Sequence, residues 1–144
     1  MFDRLLPPVH VTAPYGVALL RVALGVMFVA HGLLKVLVYS VPGTVAFFDS
    51  VGLPGWFAYP TILAEVGGGL MLIAGIQTRV VALALVPLLI GAMIVHLGNG
   101  WVFSAEGGGW EYPLFLAVAA VVQGLIGPGA FALDNRVALR ALQL

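Results

Sequence analysis

The sequence predicts an all-α fold, an integral membrane four-helix bundle in which residues 1–144 form a single domain with both termini in the cytoplasm. The first observation is composition. Apolar residues make up 62% of the chain and charged residues only 8%, and the mean hydropathy of +1.12 is far above that of soluble domains. The second observation is a series of long apolar runs, and the third is the distribution of lysine and arginine among the connections.

Four apolar runs account for the predicted spans, because a bilayer-spanning helix needs roughly 20 apolar residues. They cover about 15–38, 59–76, 80–97 and 112–126. The fourth run is short, but Gly127-Pro128-Gly129 is a firm stop. The chain therefore has room for four helices and little else.

Lysine and arginine outside the spans predict the orientation. Arginines occur at the N-terminus, in the turn between the second and third spans and in the C-terminal tail, as Arg4, Arg79, Arg136 and Arg140. The other two connections carry only Asp49 and Glu106. Because positive residues are retained in the cytoplasm, both termini are expected there.

Two short segments are predicted to lie at the membrane surface. Between Pro42 and Pro54, apolar side chains at helical spacing predict a short helix on the outer surface. The tail 127–144 is predicted to lie on the inner leaflet, where Asp134 caps a short helix that carries arginines on one face.

Charge and cysteine content exclude several classes of function. The net charge is zero and no long basic tract is present, so nucleic acid is not an expected partner. The chain has no cysteine, which excludes disulfides, dithiol redox chemistry, iron–sulfur clusters and thiolate metal sites. A redox role would therefore need a bound cofactor or a partner protein.

Charged residues inside the predicted spans mark the candidate site. Arg21, Lys35, Glu65 and Glu111 each cost about 2.5–3.5 kcal/mol at the centre of a membrane helix, so they should face one another or water. Two are positive and two are negative, so together they can neutralise their own charge.

Depth brings five polar residues to one level. With a rise of about 1.5 Å per residue, the outer third of the membrane contains His31, Lys35, Glu65, His96 and Glu111. Arg21 shares the helix face of His31 and Lys35 but lies roughly 15 Å deeper than His31, where it would anchor the inner half or reach a carboxylate from below.

Several interpretations of this set remain open. The charges could simply fix how four helices pack. His31 and His96 could ligate haem, or join Glu65 and Glu111 around a metal ion. The haem signal is weak because the two histidines have no diagnostic spacing, and Lys35 would oppose a cation.

A pocket for a small amphipathic ligand such as a quinone uses most of these features at once. Its polar head would bind His31, Lys35 or Glu65, and its ring would lie against an aromatic side chain. The candidate aromatic residues are Phe28, Trp110 and Tyr112. A buried set of histidine, lysine and glutamate can also pass protons, which quinone chemistry requires.

The chain resembles the DoxX family of small four-helix membrane proteins, which is related to the DoxD subunit of thiosulfate:quinone oxidoreductase. The matching segments cover most of the chain in order: LLRVALGVMFVAHGLLKV (19–36), TVAFFDSVGLP (44–54), LAEVGGGLMLIAGIQTR (63–79), IVHLGNGW (94–101), GGGWEYPLFL (107–116) and GPGAFALD (127–134). The family's polar signature falls on Arg21, His31, Lys35, Glu65, Arg79, His96, Glu111, Tyr112 and Asp134.

The resemblance implies a multi-pass protein of the bacterial cytoplasmic membrane that works in quinone or sulfur redox metabolism with partner proteins. A direct sulfur-carrying step is not expected, since the chain has no thiol. Whether the protein is an enzyme by itself stays open; if so, it would be a quinone-linked subunit of an oxidoreductase.

The expected function is therefore a membrane subunit of a redox system that binds a quinone as its cofactor. His31 and Glu65 are the predicted catalytic residues, which hold the head group or relay protons, while Lys35 and Arg21 balance charge. The pocket is closed by His96, Trp110 and Glu111. The rival function is a non-catalytic scaffold that recruits soluble redox proteins. Exposed glycine faces are compatible with a homo-oligomer.

Overall fold

The computed structural model describes residues 7–134 of the chain, and within this range all regular structure is helical. Five α-helices follow one another: α1 (Val9–Leu37), α2 (Val41–Ser50), α3 (Ala58–Ala74), α4 (Thr78–His96) and α5 (Glu111–Ile126). Short 3-10 turns at Gly55–Phe57 and Leu97–Asn99 lead into α3 and out of α4. The all-helical fold class predicted from composition is confirmed.

Three segments within residues 7–134 are long and apolar enough to cross a membrane: Val9–Leu37, Gly55–Ala74 and Thr78–Asn99. The fourth predicted span corresponds to α5, which is apolar but has only 16 residues. The largest difference from the sequence-based bounds lies in α1. It begins at Val9 rather than at residue 15, and Pro14 lies inside the helix.

The expected surface segment between the first two spans forms a helix, α2. Its start is capped by Ser40, whose Oγ accepts a hydrogen bond of 3.2 Å from the backbone N–H of Gly43. Thr44 is the one buried residue of α2, and its neighbour Phe47 is exposed. The predicted tail helix beyond Asp134 and the residues Arg4, Arg136 and Arg140 lie outside the described residues.

Glycines set the close approach of α1 and α3. A Cβ atom added to Gly69 would lie 2.7 Å from the carbonyl oxygen of Gly25, and one added to Gly25 would lie 2.7 Å from the carbonyl oxygen of Gly69. Backbone therefore packs directly on backbone, as small residues allow between membrane helices. Gly69 is the last of three consecutive glycines, residues 67–69. At Gly67, the first of them, an added Cβ would have no atom within 4 Å.

Helices α4 and α5 form the second close pair, while α3 also contacts α4 and α1 also contacts α5. The core lies among these four helices. Its most buried side chains include Leu24, Leu72, Ala82, Leu85 and Ala120. Helix α2 lies outside this core, against the end of α1 and the start of α3.

Candidate functional site

An ion pair between Lys35 and Glu65 joins α1 to α3. Lys35 Nζ lies 2.8 Å from Glu65 Oε2 and 2.9 Å from Oε1, so both carboxylate oxygens accept a hydrogen bond. The two side chains are only 21% and 11% exposed. Gly32 makes room for this contact, because a Cβ there would lie 3.2 Å from Glu65 Cβ and closer still to Val66.

Thr44 of α2 ties the end of α1 in place beside the ion pair. Its buried hydroxyl lies 2.9 Å from the carbonyl oxygen of Lys35 and 3.0 Å from that of Ser40. Lys35 Nζ is also 3.5 Å from the carbonyl oxygen of His31. Thr44 was not among the predicted site residues, although a hydroxyl in an apolar helix four residues after a serine cap is a signal for such a contact.

An aromatic contact extends the site to α5. The imidazole of His31 stacks on the ring of Tyr112, with 5.7 Å between ring centroids and 28° between ring planes. The Tyr112 hydroxyl is buried, and it has no hydrogen-bond partner among the described residues. We call His31, Lys35, Glu65 and Tyr112 the polar cluster.

The polar cluster combines one cation, one carboxylate, an imidazole and a phenol, and its formal charge is zero with histidine neutral. It holds both donors and acceptors, and the imidazole and carboxylate can each gain or release a proton. Within residues 7–134, no group of three or more His, Cys, Asp or Glu side chains is arranged to hold a metal ion.

Three other predicted site residues, His96, Trp110 and Glu111, stabilise the α4–α5 loop, which comprises residues 97–110. His96 Nδ1 lies 3.4 Å from Asn99 Nδ2, and Asn99 donates to the carbonyl oxygens of Gly107 and Gly108 at 3.0 and 2.9 Å. Asn99 was missed by the sequence analysis.

The end of the same loop is closed by Glu111 and Trp110. Glu111 Oε1 accepts a 2.8 Å hydrogen bond from the backbone N–H of Phe103. Trp110 packs edge-on against Trp101, with 4.4 Å between ring centroids. These contacts order the loop, and they engage loop atoms rather than the polar cluster.

Arg21 lies apart from the polar cluster, about 21 Å from Lys35 along α1 at the usual helical rise. Its side chain is only 1% exposed. The guanidinium donates to four backbone carbonyl oxygens, those of Leu72, Ile73, Pro128 and Ala130, at 2.7 to 3.0 Å.

Arg21 anchors this end of the bundle through its carbonyl contacts, as one part of the prediction had it. It hydrogen-bonds neither Glu65 nor Glu111, and the carboxylate that interacts with its charge is that of Asp134.

Leu72 and Ile73 lie in the last turn of α3, where carbonyl groups lack the regular helical partner, and Arg21 donates to both of them. The Leu72 carbonyl also accepts from the N–H of Gly75 at 3.1 Å. Phe28 also differs from expectation, because it is 4% exposed and packs in the core, where no ligand ring can reach it without repacking.

Two apolar grooves flank the site. The α5 groove has a volume of about 480 Å³ and is lined by Trp101, Phe103, Glu111, Tyr112, Leu114, Phe115 and Val118. The α1–α3 groove has a volume of about 440 Å³ and is lined by Leu33, Val36, Val41, Tyr59, Ile62, Leu63 and Val66. Tyr112 belongs both to the polar cluster and to the wall of the α5 groove.

Long apolar helices with a largely buried ion pair between them define this chain as a helical integral membrane protein. A family model described as DoxX matches residues 16–98. The chain belongs to the DoxX family, as the sequence analysis predicted.

Similar proteins occur in several bacteria. The chain is 38% identical over 120 residues to a Bacillus subtilis protein named "Putative oxidoreductase CatD". The aligned region covers 83% of this chain and 84% of that protein. The chain is 28% identical over 126 residues to the Escherichia coli inner membrane protein YqjF, covering 83% and 90%. An uncharacterized membrane protein of Mycobacterium tuberculosis is 27% identical over 143 residues, covering 92% and 87%.

No solved structure matches the chain. The family and the apolar helices make this protein a multi-pass protein of the bacterial cytoplasmic membrane, in contact with membrane lipid.

Proposed function

We propose that the polar cluster binds the head group of a quinone-like amphipathic ligand, and that the protein is the membrane subunit of a redox system. The observation that carries this proposal is the Lys35–Glu65 ion pair beside a stacked His31–Tyr112 pair, whose phenol hydroxyl has no hydrogen-bond partner within residues 7–134. Ionisable residues at membrane depth are costly, and they commonly mark ligand and proton pathways.

The chemistry of the cluster fits a quinone. Quinone oxygens accept hydrogen bonds, which Lys35 Nζ and the Tyr112 hydroxyl can donate. Reduction to a quinol takes up two electrons and two protons, and His31 and Glu65 are groups that can deliver the protons. The electrons would come from a soluble redox partner, because the chain has no cysteine to carry them. The related protein named as an oxidoreductase supports a redox role.

In the same proposal, the four apolar helices α1, α3, α4 and α5 cross the membrane as a bundle with both termini in the cytoplasm. Arg79 at the start of α4 then lies on the cytoplasmic side, as the positive-inside rule requires. The polar cluster lies towards the other side, near α2 and the α4–α5 loop. Helix α5 spans about 24 Å at the usual rise, so the bilayer thins locally beside it.

The rival candidate is a membrane scaffold in which the buried charges only hold the helices together. Arg21 favours this candidate, since four carbonyl groups accept its hydrogen bonds and the carboxylate of Asp134 interacts with its charge without a ligand. The ion pair differs from Arg21 because it is partly accessible and has an unsatisfied hydroxyl in the same cluster.

Mass spectrometry of lipids that co-purify with the folded protein tests the proposal. We expect wild-type protein to retain a quinone. We expect Glu65→Gln and His31→Gln to retain roughly tenfold less, because Glu65→Gln breaks the ion pair that positions Lys35 and His31→Gln removes the ring that stacks on Tyr112. Glu106→Gln is the matched control, since Glu106 is an exposed carboxylate of the α4–α5 loop.

Thermal unfolding in detergent accompanies the measurement, so that loss of ligand is compared only among folded variants. Wild-type protein that is folded but carries no quinone, and binds none when decylubiquinone is added, would contradict the proposal. Retention at the wild-type level in both cluster variants would assign the charges to the scaffold.

A further inference from the structure

The α5 groove reaches the polar cluster at Tyr112. One side is formed by loop residues Trp101 and Phe103 and the other by α5 residues Phe115 and Val118. Its volume of about 480 Å³ falls within the range of roughly 300–1,000 Å³ that is typical of small-molecule pockets. Aromatic rings on both sides suit a flat ring as the occupant.

The mouth of the groove opens on the apolar surface of α5. Phe115 is 69% exposed and Val118 is 55% exposed, and they lie three residues apart on one helix face. In a membrane helix such a face meets lipid tails rather than water. A ligand dissolved in the bilayer therefore reaches the groove sideways, without crossing the aqueous surface.

Two polar residues, Glu111 and Tyr112, line the groove. The hydroxyl oxygen of Tyr112 is itself buried, so a ligand in the groove reaches it only when the phenol ring turns towards the groove. The carboxylate of Glu111 already accepts from the N–H of Phe103, and its negative charge opposes an anionic lipid head group. The Tyr112 hydroxyl has no partner in the described part of the chain. Leaving such a group buried and unsatisfied costs about 1–3 kcal/mol, which an acceptor oxygen on the ligand would recover.

We infer that the α5 groove is the ring subsite and lateral entrance for the quinone, and that Tyr112 donates the hydrogen bond that selects a carbonyl oxygen. This inference rests on the proposed function and replaces Phe28 with Phe115, Trp101 and Phe103 as the ring contacts. The Tyr112 ring stacks on His31, so a ligand held at the hydroxyl lies next to the group that relays protons. The acyl chain of a membrane lipid has no oxygen that could accept a hydrogen bond from the Tyr112 hydroxyl, so this contact favours a quinone over a lipid tail.

Photolabelling with an azidoquinone, followed by peptide mapping, locates the ring directly. We expect wild-type protein to be labelled within residues 101–118. Val118→Trp fills the groove, and Tyr112→Phe removes the donor. Each should reduce labelling in this region by roughly tenfold. Leu125→Trp is the matched control, because Leu125 is 68% exposed on α5 and lies outside the groove, so it should label as wild type does.

Melting temperatures of the variants show whether a loss of labelling comes from unfolding or from lost ligand recognition. Tyr112→Phe should unfold at or above the wild-type temperature, since it removes an unsatisfied buried hydroxyl. Loss of labelling in this variant therefore reports lost recognition and not lost structure.

The possible failures are distinguishable. If wild-type protein binds decylubiquinone and Glu65→Gln does not, but Val118→Trp and Tyr112→Phe label as wild type does, the groove inference is overturned and the proposed function stands. Label in the α1–α3 groove, or a co-purified phospholipid that only Val118→Trp releases, also overturns the inference. Wild-type protein that takes up no quinone overturns both.

Discussion

Arg21→Met is expected to lower the free energy of unfolding by about 3 kcal/mol, because hydrogen bonds to a charged group contribute about 1.5–3 kcal/mol each and are not additive. The substitution keeps most of the side-chain volume but removes the donors to four carbonyl groups, whose hydrogen bonds are buried or partly buried. Unfolding in detergent, followed by circular dichroism, measures the loss.

Arg79→Met is the matched control. Arg79 is exposed and makes one hydrogen bond to a backbone carbonyl, from Nε to Gly124 at 2.9 Å. Its loss should cost less than about 1 kcal/mol. Arg21→Lys should be nearly as damaging as Arg21→Met, since an ammonium cannot supply the planar fork of donors. Equal stability of the two methionine variants would show that the carbonyl contacts of Arg21 do not stabilise the fold.

Gly69→Ala is expected to destabilise the protein by about 1–3 kcal/mol through overpacking. The new methyl group would lie 2.7 Å from the carbonyl oxygen of Gly25 and 2.9 Å from the backbone nitrogen of Val29, neither of which can turn aside. Helices α1 and α3 must then separate, which also stretches the Lys35–Glu65 contact. Thermal unfolding and quinone retention should both fall.

Gly67→Ala supplies the control from the same glycine run. An added Cβ at Gly67 meets no atom within 4 Å, so the expected effect is neutral or a gain of up to about 1 kcal/mol from reduced backbone freedom. If both alanine variants unfold alike, the close approach at Gly69 is not what holds α1 to α3.

Hydropathy and the helical rise predicted most of the helices and the proximity of Lys35 and Glu65. Hydropathy locates helices because membrane segments are long and apolar, and the rise per residue placed Lys35 and Glu65 at one level. Arg21 shows the limit of that reasoning. It shares the helix face of Lys35, but its hydrogen-bond partners are carbonyl groups of α3 and of the segment after α5. Gly75 marks the end of α3, but helical periodicity does not show which side chain will reach the carbonyl groups there.

The α4–α5 loop shows a second limit. His96 ends α4 and Glu111 begins α5, yet their contacts go to Asn99 and Phe103. At a helix end, the path of the following loop decides where a side chain can reach, and side-chain to backbone hydrogen bonds set that path. Helical periodicity carries no information about such bonds. The α5 groove was missed for the same reason, since loop residues form one of its walls.

The central claim is that the Lys35–Glu65 pair serves a ligand rather than the packing alone, and the double variant Lys35→Met/Glu65→Met tests it most directly. Removing one partner leaves a buried charge uncompensated, whereas replacing both with apolar side chains of similar volume is often neutral or stabilising. The double variant should therefore remain folded, with stability near that of wild type.

Quinone retained per folded protein, measured by mass spectrometry, is the decisive quantity. We predict that the double variant melts within a few degrees of wild type and retains roughly tenfold less quinone. A double variant that is equally stable and retains as much quinone as wild type would contradict the claim that these two charges bind a ligand.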